Sequence, residues 1–415
     1  MAKRRYLVSP FEDATNPEAW SGIPYYLFRA AHAEGLLDEA VPMLSKHRLR
    51  RSVGRILWNC RRVFSEQRLG GYWYSEASFE DVWAPIVPLL EGSVVVCCAC
   101  PMPYSVSRNE KIKKWLVVDQ TKRQFYEDNR SPAIDAKLRH AVYRREAFAY
   151  QACEGIIAFN RWASSSIVAD YGAPADKVFV VVPGANFDPS AYDIWHQSEA
   201  AAAFIRRLES PFLRVVFCGN DSYGKGLDRL IDGVSWAKAR GFRGRLTIYG
   251  SLPEAVTRQY SSRTNIEFAG FINKEKEPLR FIRLLADNDV GCLVSRKEAG
   301  GGVVCEFAAL GLPTIITRVG GIPDTAIAAA SIALPGAVTP EVIGETLLEL
   351  ESDRCLRERL QRAAWEAHET ALWSASIAKI RRFWPYPPDE FPPPSPTPQA
   401  KGIVHGIQGL CENSA

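Results

Sequence analysis

One stretch fixes the kind of sheet this chain can build. Val290 to Val294 is an apolar, β-branched strand run, Val303 to Leu310 is a short helix stopped by Gly311 and Pro313, and Thr314 to Ile316 is the next strand. Gly300, Gly301 and Gly302 fall where the first strand ends and the helix begins. Free backbone N–H groups and the positive end of the helix dipole make such a junction an anion site. Glycine lets a bulky phosphate come close to that backbone.

Two carboxylates bracket the glycines, Glu298 in the loop before the helix and Glu306 more than a turn into it. At a rise of about 1.5 Å per residue they flank the helix start by roughly one sugar-sized unit on each side. A nucleotide sugar has that layout, with sugar hydroxyls on one side, diphosphate at the glycines and ribose hydroxyls on the other. Carboxylates are good acceptors for paired hydroxyls. Glu306 also stands among Val303, Val304, Phe307 and Leu310, where a carboxylate is costly without a dedicated partner.

The same alternation of strand and helix runs through the whole chain and predicts parallel sheets with helices on both faces. In the first half the strand candidates begin at Tyr6, Val94, Trp115, Gly155 and Val178, with helices over Ile23 to Glu34 and Ile134 to Cys153. Val182 to Pro189 breaks the pattern and reads as a connection between domains. The second half restarts at Leu213, with further strands at Leu246 and Ile266, helices over Gly226 to Arg240 and Glu277 to Ala286, and helices again from Pro340 to Glu369. With 415 residues, two domains are expected, over 1–190 and 191–372, followed by a helix over 373–384 and a proline-dense extended tail over 385–415.

Composition narrows the class further. An apolar share of 47% with 24% charged residues is that of a folded globular protein, and a net charge of +4 does not argue for nucleic acid. There is no apolar run of spanning length and no leader-like N-terminus, so a cytoplasmic protein is expected. The ten cysteines are scattered, several of them in strand-like runs, and read as reduced thiols, with buried apolar cysteine the better reading over a metal site. That reading includes Cys97, Cys98 and Cys100, which have no histidine nearby.

The segment resembles the E-x7-E signature of glycosyltransferase family 4, a family of retaining sugar transferases. Ser295, Glu298, Gly300 to Gly302, Glu306, Ala308, Gly311 and Pro313 fit that pattern, and Gly320-Gly321-Ile-Pro-Asp324 resembles the family's GG-x-P-E with Asp for Glu. Val182 to Pro189 is similar to the family's interdomain segment. The resemblance implies the GT-B fold, two Rossmann-like, doubly wound α/β domains facing a central cleft, with the last helix crossing back to the first domain. It implies a donor site in which Glu306 binds ribose, Gly300, Gly301, Gly302 and Lys225 bind the diphosphate, and Glu298 binds the sugar ring. Ser295 and Val303 belong to the same donor-binding segment.

The loop Gly219 to Gly226 follows a strand and precedes a helix, and it matches the family's phosphate loop in Gly219, Lys225 and Gly226. A lysine at a helix start opposes the dipole and makes sense if it closes over a diphosphate. The chain departs from the family at Asn220, where an Arg is usual, so one permanent charge is missing. Ser21 and Gly22 resemble the first-domain glycine loop that faces the donor, with a plain helix N-cap at Ser21 as the alternative. Asp119 ends a strand where the family places a His-Asp pair, and the histidine is absent here.

Asp287-Asn-Asp289 has the form of a metal-binding D-x-D, but it ends a helix ahead of a strand and is read as structural. No metal or other cofactor is expected, since the helix start and Lys225 supply positive charge for a leaving diphosphate.

Over Lys46 to Arg68, eight Lys and Arg residues face the single acid Glu66, and Leu49, Val53, Ile56, Leu57, Cys60 and Phe64 form one helical stripe with Trp58 alongside. Two arrangements fit. The stripe docks on the first sheet with a solvated basic face, the preferred one, or the helix lies on anionic lipid.

The expected activity is transfer of a hexose-type sugar, with retention, from a nucleoside diphosphate sugar to a glycan, a lipid-linked saccharide or a small-molecule acceptor. A sugar-nucleotide epimerase or hydrolase on the same fold is one alternative. A non-catalytic binding partner is the other, kept open by Asn220.

Overall fold

The computed structural model describes residues 4–9, 14–43, 48–64, 71–99, 102–127 and 134–386. The proline-dense tail from 387 onward and Cys100 lie outside the described residues.

Two six-stranded parallel sheets carry the fold. The first is built from β1 (Arg5–Val8), β2 (Glu39–Val41), β3 (Val94–Cys98), β4 (Lys113–Val118), β5 (Gly155–Ala158) and β6 (Val178–Val180), in the order β2-β1-β3-β4-β5-β6. The second holds β7 (Arg214–Cys218), β8 (Arg245–Tyr249), β9 (Ile266–Gly270), β10 (Val290–Leu293), β11 (Thr314–Thr317) and β12 (Ser331–Leu334), in the order β12-β11-β10-β7-β8-β9. The central strands are buried on both faces, which is why they read as continuous apolar runs. β2 and β12 are the two strands the sequence does not announce. Both are short edge strands, and neither needs the long β-branched run of a central strand.

The topology decides where chemistry gathers. In each sheet the order reverses beside the first strand, at β1/β3 and at β7/β10. Loops leaving the C-terminal ends of such a pair diverge and open a crevice, the usual ligand position in this kind of sheet. The Gly219–Gly226 loop follows β7 and the Glu298 loop follows β10, so hydrogen bonding between these two strands brings two sequence-distant loops together.

The chain passes between the sheets twice. Residues 182–188 lead out of the first, and helix Pro189–Ser198 then packs Tyr192 and Trp195 against Phe281, Ile282 and Phe307 of the second. The last helix, Trp373–Arg381, returns to the first sheet's core beside Leu7, Tyr26 and Trp115. Phe383 follows it and stacks on Phe179 at 3.9 Å, a contact worth about 1 kcal/mol beyond the area it buries. The two passages touch: Ala185 N–H donates to Ala371 O at 2.7 Å and Trp373 Nε1–H to Asn186 Oδ1 at 2.9 Å. A Cβ on Gly184 would lie 2.1 Å from Trp373 N, so glycine is what lets the passages meet.

The basic segment forms helix Arg48–Phe64, but the preferred docking of its apolar stripe is overturned. Its inward side is Gly54 against the Tyr72 hydroxyl, half-buried Trp58, and Arg62, buried in an ion pair with Asp135. Val53, Ile56, Leu57 and Val63 are each more than half exposed. The reason is local: Arg62 finds a carboxylate and the Trp58 ring on the inner side, and that pairing turns the apolar stripe outward. The side chains of Leu49 and Phe64 lie outside the described residues.

Candidate functional site

The glycine junction forms as its sequence requires. Gly301 takes the left-handed conformation (φ +66°) as N-cap of helix Gly302–Ala309, and a side chain at Gly302 would meet nothing within 4 Å. The space around Gly302 at the start of this helix is therefore open, while Val304 N–H already donates to Gly301 O at 2.7 Å. Val303 is half-buried in the same turn, whereas Ser295 is fully buried beneath the loop, its hydroxyl without a partner among the described residues. Ser295 thus supports the loop from below rather than lining the cleft.

Each of the two glutamates has its own lysine. Glu306, buried in the helix, accepts from Lys274 Nζ at 3.1 Å. Glu298, in the loop, accepts from Lys225 Nζ at 2.9 Å. The expected costly carboxylate is thereby paired. Lys274 carries no sequence signal, because it stands in the loop after β9 with no glycine pattern beside it.

The Lys225 loop is pinned by its own backbone. Gly224 N–H donates to Asp221 Oδ1 at 2.8 Å, and Gly226 caps the following helix Leu227–Lys238 in the left-handed conformation, where a Cβ would sit 2.0 Å from Val294 O. That close approach holds Lys225 against the β10 end. Gly219 lies beneath the Lys225 side chain. Asn220, the departure from the family's cation, turns its Oδ1 away to accept from Ser251 N–H at 2.8 Å. It braces the neighbouring loop.

Between the sheets lies a cavity of about 530 Å³, lined from one side by Pro17, Glu18 and Ser21 and from the other by Gly219, Asn220, Tyr249, Lys274 and Glu306. That volume suits a small-molecule ligand. Lys225, Glu298 and the three glycines are not part of its wall. Ser21 does not cap a helix: Gly22 (φ +86°) is the N-cap of helix Ile23–Ala33 and no side chain bonds there. Trp20 and Ser21 both have positive φ, and the Ser21 carbonyl accepts from Asn186 Nδ2 at 2.9 Å. This strained loop is held against the interdomain connection.

Asp119 follows β4 and faces the Glu298 loop. Burial pushes its carboxyl up to about 6; Lys122 pulls the other way and the charge on Glu298 adds to the rise. Fully buried Asn160 spans the two sheets' loops, donating from Nδ2 to Asp119 O (2.9 Å) and to Ala299 O (3.0 Å). Beside it, Asp324 accepts from Arg161 N–H at 2.6 Å and pairs with the Arg161 guanidinium. Across the cleft Tyr26 donates to Glu275 at 3.2 Å. Of this group Asp119 and Asp324 carried a sequence signal, and Asn160, Arg161, Tyr26 and Glu275 did not.

The D-x-D pair is structural. Asp289 accepts from Arg214 N–H, the Arg214 guanidinium and Ser210, and Asp287 lies 3.6 Å from Arg214.

The profile of the family Glycosyl transferases group 1 matches residues 213–352, the segment that holds Lys225, Lys274, Glu298 and Glu306. Over that segment the second sheet unit is similar to the group 1 glycosyltransferases. The chain is similar to a D-inositol 3-phosphate glycosyltransferase of Xylanimonas cellulosilytica, 26% identical over 55% of this chain and 56% of that protein. It is likewise similar to a mannosylfructose-phosphate synthase of Agrobacterium fabrum, 25% identical over 62% of this chain and 59% of that protein. The chain thus spans a little over half the length of these curated relatives. Among solved structures, HepE of Anabaena in complex with UDP superposes with a TM-score of 0.61 at 12% identity, covering 91% of this chain and 98% of that one. With two facing parallel sheets the chain has the GT-B fold, and its second sheet unit is similar to the group 1 glycosyltransferases.

Proposed function

We propose that this chain is a retaining glycosyltransferase that moves a hexose-type sugar from a nucleoside diphosphate sugar to an acceptor entering from the first sheet's side. The observation that carries the reading is the pair of lysine-bound glutamates flanking an open helix start beside a cleft lined by both sheets. Glu306 at the cavity wall takes the ribose hydroxyls, the first N–H groups of helix Gly302–Ala309 and Lys225 take the diphosphate, and Glu298 takes the sugar ring. As the bond from the sugar's anomeric carbon to the diphosphate breaks, negative charge grows on the leaving phosphate. The helix start stabilises it, together with Lys225 once that ammonium turns from Glu298 to the phosphate. The acceptor oxygen bonds the same face of that carbon, and its proton passes to the departing phosphate. These groups supply the charge stabilisation without a metal ion or other cofactor.

The test is a thermal-shift panel of UDP, GDP, dTDP and ADP, followed by nucleoside diphosphate release from the matching sugar donors with and without glycan acceptors. Stabilisation by one nucleotide and acceptor-dependent release support the reading. Release that ignores the acceptor points to the epimerase or hydrolase. No stabilisation by any of the four points to a non-catalytic binding protein, the reading favoured by Asn220, whose side chain is committed to Ser251.

A peripheral membrane contact belongs to the same proposal. Among the described residues no helix is long and apolar enough to cross a membrane. Helix Arg48–Phe64 instead presents Val53, Ile56 and Leu57 outward within a segment rich in arginine, chemistry suited to an anionic lipid surface. Such a contact would hold a cytoplasmic enzyme at the inner face of the membrane and bring lipid-linked acceptors within reach of the first sheet.

A further inference from the structure

Away from the cleft, three metal-ligating side chains meet where the chain passes between the sheets. His196 is in helix Pro189–Ser198, the first helix after the connection, and His368 and Glu369 are in the turn His368–Ala371, just before the returning helix. None of the three lines the cleft cavity. Their ligand atoms lie within 4.8 Å of one another.

The two imidazoles meet nitrogen to nitrogen, Nε2 to Nε2 at 3.1 Å. Two nitrogens bound to one tetrahedral zinc ion, each at about 2.05 Å, lie about 3.3 Å apart. The rings are held from behind. His368 Nδ1–H donates to Trp365 O at 2.5 Å, which leaves the Nε2 lone pair aimed at His196. A carbonyl partner on the second nitrogen is the usual way a protein orients a metal-binding histidine. His368 stacks on Trp365 (4.8 Å, 15°) and His196 on Tyr192 (5.6 Å, 16°). Arg207 is the nearby cation that opposes a bound ion, but its guanidinium is turned to the carbonyls of Leu310 and Gly311.

We infer that His196, His368 and Glu369 form a binding site for a divalent cation of the zinc class, two imidazole nitrogens and one carboxylate with a fourth position open to solvent. Glu369 is exposed, and its carboxylate already lies within 4.8 Å of a ring nitrogen of each histidine. The ion ties the outgoing passage to the returning one, across the place where Ala185 already bonds Ala371. A plain N–H···N hydrogen bond between the histidines is the competing account, and cation titration separates the two.

The experiment is a cobalt(II) titration of the full chain, with visible absorption as readout, paired with melting curves in zinc. The expected result is one equivalent bound more tightly than about 10 µM, with four-coordinate bands in the visible and no thiolate charge-transfer band. Zinc raises the melting temperature of the natural chain. His196→Gln, at a half-buried position, abolishes both effects while the variant keeps its circular dichroism spectrum, and Glu369→Gln weakens binding at least tenfold. Absence of cobalt binding overturns the inference. So does binding that survives His196→Gln, or a spectrum with thiolate character, which would put the ion on cysteine.

Discussion

Exchanging each of the two site glutamates for glutamine should separate nucleotide binding from turnover. Glu306 is buried beside Lys274 at the cavity wall, so Glu306→Gln removes a charged acceptor from ribose and leaves Lys274 short of its counter-charge. Hydrogen bonds to a charged group contribute about 1.5–3 kcal/mol, so nucleoside diphosphate affinity should fall roughly 10- to 150-fold. Glu298 acts in the opposite sense. Its carboxylate, 2.9 Å from Lys225, competes with a diphosphate for that ammonium. At an effective dielectric constant of about 20 the pair attracts by roughly 6 kcal/mol before desolvation, and much less after it. Glu298→Gln therefore releases Lys225, and the bare nucleoside diphosphate should bind as tightly as before or up to about fivefold more tightly. Turnover of the sugar donor should nevertheless fall by about 10²- to 10³-fold, because an interaction made at the sugar ring is gone. Calorimetric titration with the diphosphate identified by the thermal-shift panel, alongside single-turnover kinetics, measures both quantities. If the two variants weaken diphosphate binding equally, or if Glu298→Gln weakens it more, the division of roles is wrong.

Three further outcomes follow from the structure. Asp119 has its carboxyl raised from 3.8 to about 6, so the native state holds the proton more tightly than the unfolded chain, and stability falls as pH rises from about 4 to about 6. Asp119→Asn should flatten that slope and gain about 1–3 kcal/mol at pH 7, read by urea unfolding at pH 4.5 and 7; an unchanged slope rejects the assignment. Gly184→Val should cost more than about 2 kcal/mol and expose the tryptophans around Trp373 to quencher, because its side chain would enter the space of the Trp373 backbone; a variant as stable as the parent refutes the close approach. Replacing Val53, Ile56 and Leu57 together by serine should leave the melting temperature within a few degrees and remove sedimentation with phosphatidylglycerol vesicles, and retained vesicle binding would exclude that face.

Much of the fold is legible because central strands of a parallel sheet are buried on both sides, and Val94–Cys98 or Arg214–Cys218 admit few other readings. The edge strands Glu39–Val41 and Ser331–Leu334 escape because an edge position asks little of its residues. At the site, the glycine junction, Glu298, Glu306 and Lys225 carry local signals in spacing and caps. Lys274, Asn160 and Arg161 do not, since each acts across a gap that only the facing of two sheets creates. The orientation of helix Arg48–Phe64 departs from its sequence pattern for a related reason. An apolar stripe tells which residues share a face, but the ion pair of Arg62 with Asp135, more than seventy positions away, tells which face goes in.

The two touching passages between the sheets also set the mechanics of the molecule. Because Ala185 and Ala371 are hydrogen-bonded, and Trp373 to Asn186 as well, the chain crosses at a single pivot rather than at two separated struts. A body held at one pivot can swing and twist but resists translation. Opening of the cleft should then be a rotation in which Asn160 leaves Ala299 and Arg161 leaves Asp324, while the distance across the pivot stays constant. Those cross-cleft contacts would work as a latch on rotation about that pivot.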